Sequence, residues 1–374
     1  MGLTTQIFCA PGRYVQGAGA INEIGAHITV LGSSVLVVGG KTGLSATREG
    51  REKSFAEMHI RQTEEEFTGE TSDAEITRLA SLCKNNAFDI LMASGGGKVI
   101  DTVKAAAEDS GVPAVIVPTV ASNDAPCSAL TVVYNGDGTF NRLRPLKKNP
   151  DLVLIDTEII TKAPVRTLVA GMGDALATWF EADACFKSNA CNNFGGRITN
   201  TAMGLARLCL DTILEHGFNA KTACEKQLVT PAFEKIVEAN TILSGLGFES
   251  GGVAVAHALS EGFSVIPEIH HYLHGETVAF GLLVHLIVED RPAAVINQIY
   301  DFCLRVGLPV TLSDLGCDKV DHCLLRQVGD AAAAPGKPSS NMPFPVTGNM
   351  LYHAIIKADT LGKKFKEQKG YVDT

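Results

Sequence analysis

Four short apolar runs constrain this chain more than anything else in it: Val35–Val38, Ile90–Ala93, Val112–Val117 and Leu152–Ile155. Each is short enough for a strand and too continuous for a strand with one wet face, so each reads as a strand buried on both sides. Between them lie helix signals. Ser72-Asp-Ala-Glu75 has the form of a capping box, Ile76, Leu79, Leu82 and Cys83 follow at helical spacing, and Asn85-Asn86 ends the pattern. Val99 to Glu108 reads as another helix. Strand–helix–strand order with apolar strands predicts a parallel sheet covered by helices on both faces.

After about Pro164 the strand signals fade and helical periodicity takes over. Thr230-Pro231 is an N-cap followed by proline at the first helical position, and Phe233, Ile236, Val237, Ile242 and Leu243 fall near one face. Gly245 and Gly247 are expected to stop that helix. Ala331 to Gly348, with four prolines, reads as a surface connection. The expected organisation is an α/β dinucleotide-binding domain over residues 1–162 and an all-α metal- and substrate-binding domain over 163–374. The ligand is expected between them.

Composition excludes several classes of function. Lys+Arg 32 against Asp+Glu 41 gives a net charge of −9, which argues against a general nucleic-acid or anionic-membrane binder. The ten cysteines form no CxxC pair, so a thiolate zinc knuckle and a thioredoxin-type motif are disfavoured. They read as buried free thiols of a reducing compartment. The N-terminus lacks a signal-peptide layout, and the longest apolar stretch, Val278–Val288, is about half a membrane span and contains His285. The expected location is the cytoplasm, with no membrane partner.

Four clusters carry chemistry. Gly95-Gly96-Gly97-Lys98 follows an expected strand and opens an expected helix, where free N–H groups and the helix dipole favour phosphate. It is neither a GxGxxG fingerprint nor a Walker A loop. Thr119 to Pro126 lies past the strand Val112–Val117, in the position that lines the ligand crevice of an open α/β sheet. Its hydroxyls and Asp124 suit a cofactor and a polyol, although Ser, Asn, Asp and Pro also simply make turns. Asp174, on an expected helix start, joins His257 and the trio His270, His271 and His274 as a candidate metal set. One carboxylate with two imidazoles leaves open coordination positions, as catalysis requires, and permits zinc, iron, cobalt or manganese. Arg142, Arg144, Lys147 and Lys148 would suit a phosphorylated substrate, but a solvated loop face is the favoured reading.

Taken together, Pro11–Gly17, Gly95–Asp101, Pro118–Leu130, Gly171–Ala182, Gly247–Gly252 and His270–Glu276 resemble the glycerol dehydrogenases of the iron-containing (group III) alcohol dehydrogenase superfamily, in order and over nearly the whole chain. The resemblance implies that Asp174, His257 and His274 ligate one divalent metal, with zinc expected, and that His270 and His271 support them. It implies that the pyrophosphate of NAD lies on Gly96 and Gly97 through Lys98, Val99, Ile100 and Asp101. Thr119, Val120, Ala121, Ser122, Ser128, Leu130 and Tyr134 would line the rest of the cofactor site, and Asp124 and Phe248 would hold the substrate.

The implied reaction is the reversible oxidation of glycerol to dihydroxyacetone, with Asp124, Asp174, His257 and His274 as catalytic groups. A homo-oligomer, octameric in relatives, is implied as well. One departure stands out. Where such proteins carry Asp at the end of the first nucleotide-binding strand, this chain has Gly40 followed by Lys41, which leaves room for NADP. Rival expectations are another small diol, a 2-hydroxy or 2-oxo acid, or glycerol-1-phosphate as substrate. A dehydroquinate synthase would carry Glu in place of Asp174. A cofactor-binding scaffold without catalysis is disfavoured by the complete ligand set.

Overall fold

The computed structural model describes residues 5–319 and 321–370. Among the described residues eight strands form two sheets: β1 (Tyr14–Gly17), β2 (Ser34–Gly39), β3 (Arg61–Glu66), β4 (Ile90–Gly95), β5 (Ala114–Pro118), β6 (Leu130–Tyr134), β7 (Phe140–Pro145) and β8 (Leu152–Asp156). Six of them make a sheet in the order β1-β8-β5-β4-β2-β3, with every pairing parallel. β6 and β7 form a separate antiparallel hairpin. The four apolar runs are the four central strands, and every residue of β2, β4, β5 and β8 is buried. The edge strands were not legible. β3 reads Arg-Gln-Thr-Glu-Glu-Glu, a polar run that pairs only with β2.

The helices are α1 (Ile24–Ile28), α2 (Lys41–Glu57), α3 (Asp73–Asn85), α4 (Gly97–Ser110), α5 (Thr157–Thr161), α6 (Val165–Ser188), α7 (Asn200–Glu225), α8 (Pro231–Glu238), α9 (Ser244–Gly251), α10 (Val255–Gly262), α11 (His274–Val288), α12 (Ala293–Val306), α13 (His322–Ala332) and α14 (Gly348–Lys369). Ser72 caps α3 by accepting from the Glu75 N–H at 3.3 Å. The reciprocal half of the box is not made, because the Glu75 carboxylate pairs with Arg78. Thr230 caps α8 as expected.

Gly245 and Gly247 do not stop that helix. A π-helical segment, Ala239–Leu243, joins α8 to α9, which runs through both glycines to Gly251. Their role is close packing: a Cβ at Gly245 would lie 3.0 Å from the Cys127 Cβ, and one at Gly247 would lie 2.5 Å from Thr178 Cγ2. Asp174 is likewise not at a helix start but well inside α6, which begins at Val165.

The described chain packs as two units. One comprises residues 9–168 with 222–245; the other comprises residues up to 8, then 169–221 and 246 onward. The first carries both sheets and the second is helical. Where the sequence suggested a single cut near residue 162, the segment 222–245 returns to the sheet-bearing unit. Its Asn240 amide donates to the carbonyls of Ala121 and Leu168, both at 3.0 Å. Among the described residues no single helix is long and apolar enough to cross a membrane. None of the ten cysteines is in a disulfide; six are buried, while Cys191 and Cys323 are exposed.

Candidate metal and dinucleotide sites

Two glycines allow the metal candidates to meet. A Cβ at Gly173 on α6 would lie 2.3 Å from the Gly275 carbonyl oxygen, and one at Gly275 would lie 1.8 Å from the Ala170 oxygen. The backbones of α6 and the start of α11 therefore touch there, which sets the neighbours Asp174 and His274 face to face. The Glu276 carboxylate fixes the first turn of α11 by accepting the Leu273 N–H at 2.7 Å. His257 arrives from the first turn of α10.

The resulting geometry is compact. The Nε2 atoms of His257 and His274 each lie 3.5 Å from Asp174 Oδ1, and one donor atom from each of the three residues falls within 4.8 Å of the others. Bonds of about 2.1 Å to a tetrahedral ion put adjacent donors roughly 3.4 Å apart, so both carboxylate–imidazole edges fit one zinc-sized ion. His270 and His271 stay outside this group, in the turn Pro267–His271, where His270 Nε2 meets the Ser264 carbonyl at 2.8 Å.

The electrostatics follow from burial. Burial disfavours the His257 cation, yet the carboxylates of Glu181 and Asp174 raise its pKa well above the ordinary imidazole value. For His274 burial dominates and lowers the pKa, with Asp174 opposing. Burial pushes the Glu181 carboxyl up, but His257 outweighs it, and the net shift is downward. Sequence reasoning missed Glu181. Its signal was there: it stands seven residues after Asp174, and so on nearly the same face of one helix.

The cofactor candidates assemble at a different place, in the sheet-bearing unit. β2 lies between β3 and β4, so the chain reverses its direction of travel across the sheet between β2 and β4. Ligands of open parallel sheets bind outside the carboxyl ends of strands at such a switch point. Gly40 follows β2 there and Gly96 follows β4. Gly96 is the N-cap of α4, and no side chain caps that helix. A Cβ at Gly96 would lie 3.4 Å from Val120 Cγ2, and one at Gly97 would lie 3.1 Å from the Asn123 amide, so side chains would narrow the space above the helix end.

Around this point the expected residues divide by what they can offer. Val99, Ile100 and Ala121 are buried, which leaves their backbones. The Lys98 amine is held by Glu70 at 2.6 Å. Asp101 is a strut: it pairs with Lys104 at 2.9 Å and accepts the Val132 N–H at 2.9 Å. Lys104 in turn donates to the carbonyls of Ala125, Ser128 and Leu130, and so shapes the loop that follows β5. Thr119 begins that loop by donating its N–H to Gly95 at 3.1 Å. Ser122, Leu130 and Tyr134 are half-buried, and burial pushes the Tyr134 phenol up.

Asp124 is buried, and its Oδ2 accepts the Ser244 hydroxyl at 2.6 Å. Phe248 is buried in α9 and belongs to the helical unit. At Gly40 the backbone is extended (φ −71°), and a Cβ would meet nothing within 4 Å. Lys41 is exposed, 3.8 Å from Glu66. Three of the four basic residues are paired with carboxylates, Arg142 with Asp73 at 2.7 Å, Arg144 with Asp109 at 2.6 Å and Lys148 with Asp151 at 2.6 Å. That removes the one feature that favoured a phosphorylated substrate.

Known proteins resemble this chain over nearly its whole length. The profile of the family described as iron-containing alcohol dehydrogenase matches residues 11–157. A glycerol dehydrogenase of Thermotoga maritima is 48% identical over 97% of this chain and 99% of its own length. One from Escherichia coli strain CFT073 is 45% identical over 97% of this chain and 99% of its own length. The crystal structure of glycerol dehydrogenase from Schizosaccharomyces pombe superposes with a TM-score of 0.95 at 34% identity, covering 100% of this chain and 95% of that one. The chain is therefore an oxidoreductase that belongs to the iron-containing alcohol dehydrogenase family, in the company of proteins named glycerol dehydrogenase.

Proposed function

We propose that this enzyme oxidises glycerol to dihydroxyacetone, reversibly, using a nicotinamide cofactor and one divalent ion held by Asp174, His257 and His274. The observation that carries the reading is the convergence of one carboxylate oxygen and two imidazole nitrogens at separations that fit a single zinc-sized ion. When bound, the ion supplies Lewis acidity to the reacting hydroxyl, and the nicotinamide supplies the hydride acceptor.

The chain's own residues do the rest. Asp174 and the two histidines fix where an alcohol oxygen sits. The Asp124 carboxylate, with one oxygen already tied to Ser244, orients a neighbouring hydroxyl of the polyol. The uncapped start of α4 receives the pyrophosphate through Gly96, Gly97 and the first-turn N–H groups.

Gly40 supports acceptance of NADP beside NAD. β2 ends without a carboxylate of its own, and the exposed Lys41 stands next to the position, although Glu66 at the end of neighbouring β3 lies 3.8 Å from that lysine. A homo-oligomer, as the resemblance implies, is tested by light scattering on the purified protein. That none of the ten cysteines is in a disulfide supports a reducing compartment, as in the cytoplasm. The functional test is a spectrophotometric screen of polyols and hydroxy acids against both cofactors, with and without chelator. Glycerol turnover that disappears on chelation and returns with zinc supports the reading. Turnover indifferent to chelation, or confined to hydroxy acids, overturns it.

A further inference from the structure

Glu181 sits two turns beyond Asp174 on α6 and is fully buried. Its two oxygens have separate tasks. Oε1 accepts the backbone N–H groups of Ala254 at 2.8 Å and His257 at 3.0 Å, and so caps α10, whose N-cap residue Ala254 has no capping side chain. Oε2 meets His257 Nδ1. An ionised carboxylate oxygen only accepts, so Nδ1 must carry the proton. The other ring nitrogen, Nε2, faces Asp174 at 3.5 Å; it is the nitrogen that gives up its proton to a cation, because Nδ1 keeps the one shared with Glu181.

We infer that Glu181 is the positioning residue of the metal centre: it selects the ligating tautomer of His257 and aims the ring. The inference rests on the metal reading proposed above. It predicts a specific failure for Glu181→Gln. The two backbone donors hold the amide oxygen in the place of Oε1, because turning the amide over would set its NH₂ against two N–H groups. The NH₂ then points at His257 Nδ1 and donates to it. The ring proton moves to Nε2, which can no longer bind a cation.

The test is zinc affinity, measured by competition with a fluorescent chelator on metal-stripped protein, together with the melting temperature of that metal-free protein. Glu181→Gln is expected to weaken zinc binding by about 10- to 100-fold in a metal-free protein that still melts cooperatively, at a lower temperature because a buried charge pair is lost. In a His257→Ala background the same change is expected to add less than about twofold, because the residue acts through that ring. Equal affinity of wild type and Glu181→Gln overturns the inference. So does an equal loss in both backgrounds, which would make Glu181 a distant charge and nothing more. A wild-type protein that holds no zinc overturns the metal reading itself, a result distinguishable from either.

Discussion

At the scale of single residues, backbone contact decides the metal site before any ligand does. Gly275→Ala places a methyl 1.8 Å from the Ala170 carbonyl oxygen, so α11 must retreat from α6 and carry His274 away from Asp174. The expected result is a loss of about 1–3 kcal/mol in stability and of stoichiometric metal, read by thermal melts and elemental analysis. A second residue sets acid stability. Burial alone would push the Glu289 carboxyl up, but the His285 ring and Arg291 pull it down to about 2. A carboxylate with a depressed folded pKa stabilises above its unfolded value of about 4.3 and loses that contribution as pH falls toward 2. Glu289→Gln is therefore expected to cost on the order of 1–3 kcal/mol at pH 7 and progressively less below about pH 4, as urea melts at the two ends of that range will show. The candidate trio was legible through the resemblance, with Asp174 and His274 inside its quoted motifs and His257 at a matching position, whereas spacing alone left His270 and His271 open beside them. Glu181 and Gly275 stood inside the same motifs, but their roles depend on which helices touch, and no spacing along one chain states that.

At the scale of elements, the helical run from α8 through the π-segment to α9 does work that periodicity hid. The wide π turn presents Asn240 to the carbonyl of Ala121, and Ser244 follows it on to Asp124, so one segment grips the loop after β5 at two points. Ser244→Ala removes one hydrogen bond to the proposed substrate-orienting carboxylate. A loss of about 1 kcal/mol, or roughly fivefold in kcat/KM for glycerol, is expected, carried mainly by KM. The carboxyl end of β2 gives a further prediction. Gly40→Asp meets no steric or conformational obstacle and adds a helix cap to α2, so the kcat/KM ratio is expected to move toward NAD. An unchanged ratio would remove Gly40 from cofactor selection. Buried strands announced themselves through apolar runs. β3 and the β6–β7 hairpin did not, because an edge strand and a solvated ribbon need no such run.

At the scale of the whole molecule, packing does not follow chain order. Residues 222–245 join the sheet-bearing unit, while Gln6 and Ile7 bond to Ile198 and Arg197 in the helical one. An amphipathic helix shows that it has a buried face without showing what buries it, so these exchanges were outside the reach of pattern. The two proposed halves of the chemistry are thereby built separately: the nucleotide-binding strand ends belong to one unit, and all three metal candidates to the other. The account turns on that trio. Diffraction from a zinc-soaked crystal, recorded at the zinc absorption edge, tests it most directly. One anomalous peak bounded by Asp174, His257 Nε2 and His274 Nε2 is the result the account predicts, and a peak elsewhere, or none on these residues, would contradict it.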